Sequence, residues 1–254
     1  MARPYTALTI GPLDPSGRAG VLADVRAFSA LGLHGAAVVT AIGDTALGGA
    51  MVASQFEAVL GEIRVDAVKL ACPDDAQTLE AIADSLVKHD LQTLVLDPAG
   101  APFNDAAVAV LTARLLPLAL VAVPNVIEAQ ALASMVIDSW EDMRDAARAI
   151  AALGPANVVI KGGKREGGRV TDLLFDGGDY RDYTAERVQL DVPGAGTTFD
   201  AALAATLAKG EPVQHAVAAA KAYVTKALQG AYDLGGASGL HPFYRYWRPN
   251  APER

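Results

Sequence analysis

Residues 6–42 read TALTIGPLDPSGRAGVLADVRAFSALGLHGAAVVTAI, and the order of patterns within them decides the fold class. An apolar run, Thr6–Gly11, leads through a loop of small residues into a window of helical period at 20–31. A second β-branched run, Ala36–Ile42, follows. Strand, helix, strand at this spacing is a βαβ unit, whose two strands lie parallel. The alternation continues outward, with strand candidates at Ala67–Leu70, Thr93–Asp97, Leu118–Val123 and Asn157–Lys161. Helical windows fall at 52–63, 75–88, 104–115, 139–153, 197–209 and 212–229. Ser139 and Asp142 form a capping-box pattern, and Gly154-Pro155 closes the window they open. Continuous apolar strands separated by helices predict a sheet covered on both faces. Between Thr171 and Tyr183, two short runs flank Asp176-Gly177-Gly178, a hairpin signal. The expectation is α/β: a single three-layer, doubly wound domain over residues 1–254, mostly parallel, with a late antiparallel hairpin.

Composition narrows the function classes. The 254 residues carry 21 Lys+Arg against 29 Asp+Glu, a net charge of −8. An acidic chain lacks the basic face that nucleic acid or an anionic membrane requires, so neither is an expected partner. Hydrophobic residues make up 52%, but about a fifth of the chain is Ala, which favours close-packed helices over a membrane span. No apolar run reaches the ~18–20 residues of a spanning helix, and Met1–Ile10 lacks the features of a secretory signal. A single cysteine, Cys72, forms no internal disulfide, which points to the cytoplasm.

In a doubly wound sheet, ligands bind beyond the carboxyl ends of the strands. Four stretches there combine unusual residues. Gly11–Gly20 joins the first strand to the first helix through small residues that let a ligand approach backbone, and Asp24 follows one turn into that helix. Pro124-Asn125-Val126-Ile127-Glu128 places an amide and a carboxylate three residues apart; they either cap a helix or hold water around a metal. Val159-Ile160-Lys161-Gly162-Gly163 puts a flexible cation at the end of a buried strand, a place suited to phosphate. Asp191 to Asp200 runs through Gly194-Ala195-Gly196-Thr197 into an Ala-rich helix, so unpaired N–H groups converge as an anion hole. The four histidines have no metal-ligand spacing, and Gly-x-Ser-x-Gly is absent.

These features, in this order, resemble the ribokinase-like superfamily, and within it the hydroxymethylpyrimidine and phosphomethylpyrimidine kinases. The resemblance runs from Asp14-Pro15-Ser16-Gly17 and Ala23-Asp24 through Asp97-Pro98, Pro124-Asn125, Lys161-Gly162-Gly163 and Asp172-Leu173-Leu174-Phe175 to Gly194-Ala195-Gly196 and Ala220-Lys221-Ala222-Tyr223. Residues 231–254 lie outside it. It implies ATP-dependent phosphorylation of a hydroxymethylpyrimidine or its monophosphate in thiamin biosynthesis, with Mg²⁺, in a cytoplasmic homodimer. The alternatives are a kinase of a pyridoxal-type vitamer and a non-catalytic ligand-binding protein on the same scaffold. By this resemblance Asn125 and Glu128 organise the triphosphate and, through water, the magnesium. Lys161 and Gly163 meet the phosphates, and the Gly194, Ala195 and Gly196 amides form the anion hole. Asp14, Ala19, Asp24, Asp44 and Cys72 bound the acceptor pocket, with Asp24 accepting from the pyrimidine ring. The chain departs from its relatives where they carry Asp or Cys facing the substrate hydroxyl: here the residue is Thr197, with Asp200 a turn deeper. A hydroxyl is a poor base near neutral pH, so a slow kinase is expected. Thr40–Thr45 is shortened and lacks a Gln, Ala99-Gly100-Ala101-Pro102 replaces a Lys-Ser-Gly segment, and Lys69-Leu70-Ala71-Cys72-Pro73 replaces a glycine and a methionine.

Overall fold

The computed structural model describes residues 3–99, 104–190 and 192–244. Gly100–Pro102, Asp191 and the end of the aromatic tail from 245 onward lie outside the described residues. The strands are β1 Thr6–Leu13, β2 His34–Ile42, β3 Thr45–Ala46, β4 Ala67–Ala71, β5 Leu94–Asp97, β6 Val121–Ala122, β7 Asn157–Glu166, β8 Arg169–Phe175, β9 Tyr180–Glu186, β10 Tyr232–Asp233 and β11 Ser238–Gly239. The α-helices are α1 Gly20–Ala30, α2 Gly49–Leu60, α3 Ala76–Lys88, α4 Asp105–Val110, α5 Val126–Ala133, α6 Trp140–Ala151, α7 Ala195–Leu207 and α8 Val213–Gln229.

Among the described residues, nine strands form one sheet in the order β3-β2-β1-β4-β5-β6-β7-β8-β9. From β2 to β7 the pairing is parallel; β3 at one edge and β8–β9 at the other are antiparallel. The expected hairpin is β8–β9, turning through Asp176–Asp179, where the Asp176 carboxylate accepts from the Asp179 N–H at 2.9 Å. Because β1 is flanked by β2 and β4, strand order reverses there, and the ligand crevice of a doubly wound sheet is expected beyond the ends of β1 and β4.

Side-chain alternation divides the core. Ala7, Ala67, Val95 and Val159 pack against α1, α7 and α8 on one face. Leu8, Ile10, Val68, Leu70, Leu94 and Leu96 pack against α2 and α3 on the other. A further cluster places Val158, Ile160 and Leu173 under α5 and α6. The described part of the aromatic tail docks on the first face: Tyr244 lies 5.6 Å from Tyr223, whose hydroxyl donates to the Pro242 carbonyl at 2.8 Å. Among the described residues no helix is long and apolar enough to cross a membrane.

Several boundaries differ from the sequence reading. The Leu118–Val123 strand shrinks to β6, because Leu116-Pro117-Leu118 closes a 3₁₀ turn ahead of it. The 104–115 window is α-helical only to Val110 and then widens into a π turn, Leu111–Leu115. Residues 126–133 form a helix not among the expected windows, and β3 and the β10–β11 hairpin were not expected either.

The Ser139 capping box is present. Its hydroxyl accepts from the Asp142 N–H at 3.1 Å, and the Asp142 carboxylate accepts from the Ser139 N–H at 2.8 Å. Ser139→Ala is expected to cost about 1 kcal/mol. In a chain of this size that appears as a ~2–4 °C lower Tm in thermal unfolding followed by circular dichroism.

Candidate active site

The polar residues of the site follow from strand parity. Two residues beyond Ala7, Ala67, Val95 and Val159 stand Thr9, Lys69, Asp97 and Lys161, one on each of β1, β4, β5 and β7. Period two therefore turns all four toward α1 and α7. The register sets Thr9 beside Lys69, and Ala71 beside Asp97. From the helices come Asp24 of α1 and Thr197 and Asp200 of α7, the latter two i and i+3 on one helix face.

Two linked clusters result. In the first, Lys69 Nζ donates to Asp24 Oδ2 at 2.9 Å and to Thr197 Oγ1 at 2.7 Å. The Thr197 hydroxyl donates to Asp24 Oδ1 at 2.8 Å, and Thr9 donates to Asp24 Oδ2 at 2.6 Å. In the second, Lys161 Nζ reaches both Asp200 oxygens at 3.0 and 3.1 Å and Asp97 Oδ2 at 3.5 Å. Burial disfavours the Lys69 ammonium, but Asp24, Asp200 and Asp97 outweigh it and hold its pKa above the usual value. Lys161 is likewise raised: Asp200, Asp97 and Glu128 overcome its desolvation. Burial, together with Asp97, pushes the Asp200 carboxyl well above the usual carboxylate range. Asp97, although desolvated, is held below that range by Lys161, with Asp200 hydrogen bonding to it. The two carboxyls are therefore shifted in opposite directions as a coupled pair beside Lys161.

Above these clusters the N-terminus of α7 opens. Gly194 caps it at φ +89°, and a Cβ there would lie 2.1 Å from the Arg18 carbonyl oxygen. The α7 entry and the loop after β1 are therefore in backbone contact. A Cβ on Gly196 would stand 3.8 Å from Lys161 Nζ, so the ammonium lies beside the helix's free N–H groups. A cavity of about 810 Å³ extends from Lys161, Ala195 and Gly196 past Phe199 to Asp172 and Lys221. Asp172 bonds Lys221 at 2.7 Å and accepts from the Gly162 N–H at 2.7 Å, which fixes the backbone just after Lys161.

Asn125 and Glu128 form a complete capping box on α5, each side chain accepting from the other's N–H at 3.0 and 2.8 Å. The capping role is thus real, and it keeps Glu128 buried close enough to raise Lys161. Asp14 spends its carboxylate on the β1–α1 loop, accepting from the Ser16 N–H and hydroxyl and the Ala19 N–H at 2.8, 2.7 and 3.1 Å. Those bonds, the Ser16 hydroxyl's first, lower its pKa. Arg26 ties the loop from behind, donating to the Gly17 carbonyl at 3.0 Å and to the Tyr232 hydroxyl at 2.9 Å.

The five expected acceptor-pocket residues are not brought together. Asp24 is fully buried, its oxygens taken by Lys69, Thr9 and Thr197 rather than presented to a ring. Cys72 belongs to the core on the other face, where burial and the nearby Asp97 raise its thiol pKa well above the usual value. Asp44 is exposed on the β2–β3 turn, whose Gly43 N–H donates to the Leu13 carbonyl at 3.0 Å. Asp14 and Ala19 stay in the loop above Asp24. Asp200 faces Lys161, away from Thr197's outer side. The sequence reading gave Lys69 and Asp97 no role; their shared parity with Thr9 and Lys161 was the signal.

The two glycines of the α7 entry separate by substitution. Gly194→Ala meets backbone at a positive φ and is expected to cost more than ~2 kcal/mol in urea unfolding. Gly196→Ala, with only a flexible lysine tip nearby, is expected to leave stability within about 0.5 kcal/mol.

Against this geometry, comparison with known proteins is direct. A family model described as phosphomethylpyrimidine kinase matches residues 14–242. The hydroxymethylpyrimidine/phosphomethylpyrimidine kinase of Rhizobium meliloti is 40% identical over 95% of this chain and 98% of its own length. The thiamine biosynthesis bifunctional protein ThiED of Geobacter sulfurreducens is 38% identical over 91% of this chain, which spans 51% of that longer protein. Among solved structures, the pyridoxal kinase from Staphylococcus aureus in complex with AMP-PCP and pyridoxal superposes with a TM-score of 0.89 at 30% identity, covering 97% of both chains. A phosphomethylpyrimidine kinase from Clostridium difficile gives 0.77 at 30% identity, covering 88% of this chain and all of that one. With an ordered site at the strand ends and a family match over nearly its whole length, this chain belongs to the phosphomethylpyrimidine kinase family.

Proposed function

We propose that this protein is the small-molecule kinase its family membership indicates, moving the γ-phosphoryl group of ATP to the alcohol of a hydroxymethylpyrimidine or its monophosphate. The observation that carries this reading is the position of Lys161: its ammonium lies beside the open first turn of α7, on the wall of the 810 Å³ cavity. Phosphoryl transfer asks the protein for positioning and charge neutralisation rather than covalent chemistry. Lys161 and the amides of Gly194, Ala195 and Gly196 supply both. The cavity toward Lys221 takes the rest of the nucleotide, and the crevice between the β1 and β4 loops takes the alcohol.

Magnesium is bound by one or two carboxylates together with phosphates and water. Glu128 and Asp97, hard oxygen donors flanking Lys161, fit such an ion, although no cluster of three ligands exists among the described residues. The ion supplies charge neutralisation at the phosphates.

The same reading extends to a cytoplasmic homodimer. Ile42 and Met51 are exposed near the short edge strand β3, an apolar margin that suits a second copy. Sedimentation velocity is expected to show twice the 26.2 kDa chain mass. A pyridoxal-type acceptor is the second reading, favoured by the TM-score of 0.89 to a pyridoxal kinase.

A phosphotransfer assay with ATP-Mg²⁺ and each alcohol tests the function. The pyrimidine is expected to be turned over with the higher kcat/KM. Lys161→Met is expected to lower kcat by ~10²–10³-fold, as for loss of one donor to a developing anion. Turnover of pyridoxal alone would replace the substrate, and a folded Lys161→Met variant with full activity would remove Lys161 from the site.

A further inference from the structure

We propose that Thr197 and Asp24 form a proton relay of fixed polarity, in which Thr197 accepts the hydrogen of the acceptor alcohol and passes its own to Asp24. This inference rests on the kinase reading above. It starts from a count of donors and lone pairs. An ammonium only donates, a carboxylate only accepts, and a hydroxyl has one hydrogen and two lone pairs. Lys69 Nζ donates to Thr197 Oγ1 at 2.7 Å, which uses one lone pair. The hydroxyl hydrogen goes to Asp24 Oδ1 at 2.8 Å. Since Lys69 has no means of accepting, the order Lys69 to Thr197 to Asp24 does not reverse. One lone pair of Thr197 remains.

Burial aims that lone pair. Asp24 and Lys69 have 0% and 1% of their side chains exposed and Thr9 is buried, while Thr197 is half-buried, so the cluster reaches the surface through Thr197. A group arriving there can donate to Thr197 but receives no hydrogen from it. An alcohol bound in this way turns its O–H inward, which leaves an oxygen lone pair directed outward for attack. Asp24 thereby acts on the alcohol through Thr197 while itself fully buried.

The step balances. The alcohol proton moves to Thr197 Oγ1 as the Thr197 proton moves to Asp24 Oδ1. The alcohol oxygen bonds to the γ-phosphorus as the bond from that phosphorus to the β–γ bridging oxygen breaks, and ADP leaves with those electrons. Asp24 is left neutral and returns its proton through Thr197 to water once product has gone. Asp200 does not compete for this task, because both its oxygens are on Lys161 and it is completely buried. Lys69 is a positioning residue: it sets the direction of the hydrogen-bond chain without touching substrate.

The test compares wild type, Thr197→Ser, Thr197→Val and Asp200→Asn with saturating ATP-Mg²⁺ and hydroxymethylpyrimidine. Valine matches threonine in shape and leaves the Asp24–Lys69 pair in place. The expected result is kcat within ~5-fold of wild type for Ser and ~10²–10³-fold lower for Val, with the KM for ATP unchanged, the scale of lost general-base help. In H₂O/D₂O mixtures, wild-type kcat is expected to fall along a curve that reports two protons in motion, whereas Val loses the curvature. Val at wild-type kcat, a straight-line isotope response, or loss of kcat in Asp200→Asn with Val unaffected would overturn the relay. An inactive wild type overturns the relay together with the kinase reading, whereas failure of the relay alone leaves an active wild type that Thr197→Val equals.

Discussion

Asp24 and Lys69 meet at 2.9 Å with essentially no exposure, and the arrangement of the crevice follows from keeping that pair satisfied. Desolvating two ions costs several kcal/mol each, and the interior repays this only when geometry and extra hydrogen bonds are both good. Here Thr9 and Thr197 provide those bonds, which requires β1, β4, α1 and the first turn of α7 to be fixed relative to one another. A core of similar volume built only from apolar side chains would be at least as stable. The charged pair is therefore better understood as serving the site than the fold, and its cost falls where β1 and β4 part.

The second cluster shares the same scaffold. Lys161 is held between Asp97 and Asp200 beside the α7 entry, close to where a phosphate would sit. Asp200 holds that ammonium in place, with both of its oxygens within hydrogen-bond distance of Lys161 Nζ. Gly194 joins the two halves, since its lack of a Cβ lets α7 approach the Arg18 carbonyl. The first turn of α7 and the β1–α1 loop are consequently in backbone contact. The Arg26 bonds to Gly17 and Tyr232 tie that loop to the C-terminal hairpin.

Much of this was legible in the sequence, because the signals were local. Apolar runs and Ala-rich windows gave the order of elements, and Asp176-Gly177-Gly178 gave the hairpin. Helix α5 showed only its start, in the Asn125–Glu128 capping pattern; its eight residues are mostly apolar and leave Ile127 exposed, so its body has little facial contrast. The π turn at Leu111–Leu115 continues the helical apolar pattern and differs only in hydrogen bonding. At the site, Lys161, Asn125, Glu128 and the α7 glycines stood at strand ends and helix starts, where a general rule directs attention. Lys69 lay inside an apolar strand and found its partner 45 residues away in α1, a pairing set by the Thr9–Lys69 register rather than by any local pattern. Asp44 and Cys72 were assigned by resemblance in segments where this chain departs from its relatives, and there the resemblance did not carry the geometry.

The central claim is that Asp24 and Lys69 are one coupled unit holding the crevice together. A double-mutant cycle in urea unfolding, with Asp24→Asn, Lys69→Met and the combination, measures this directly. Removing one partner leaves a buried charge alone, so each single variant is expected to lose about 3–5 kcal/mol. The double variant is expected to lose much less than the sum of the two. Single-variant losses that add to within about 0.5 kcal/mol, as for independent sites, would contradict the account.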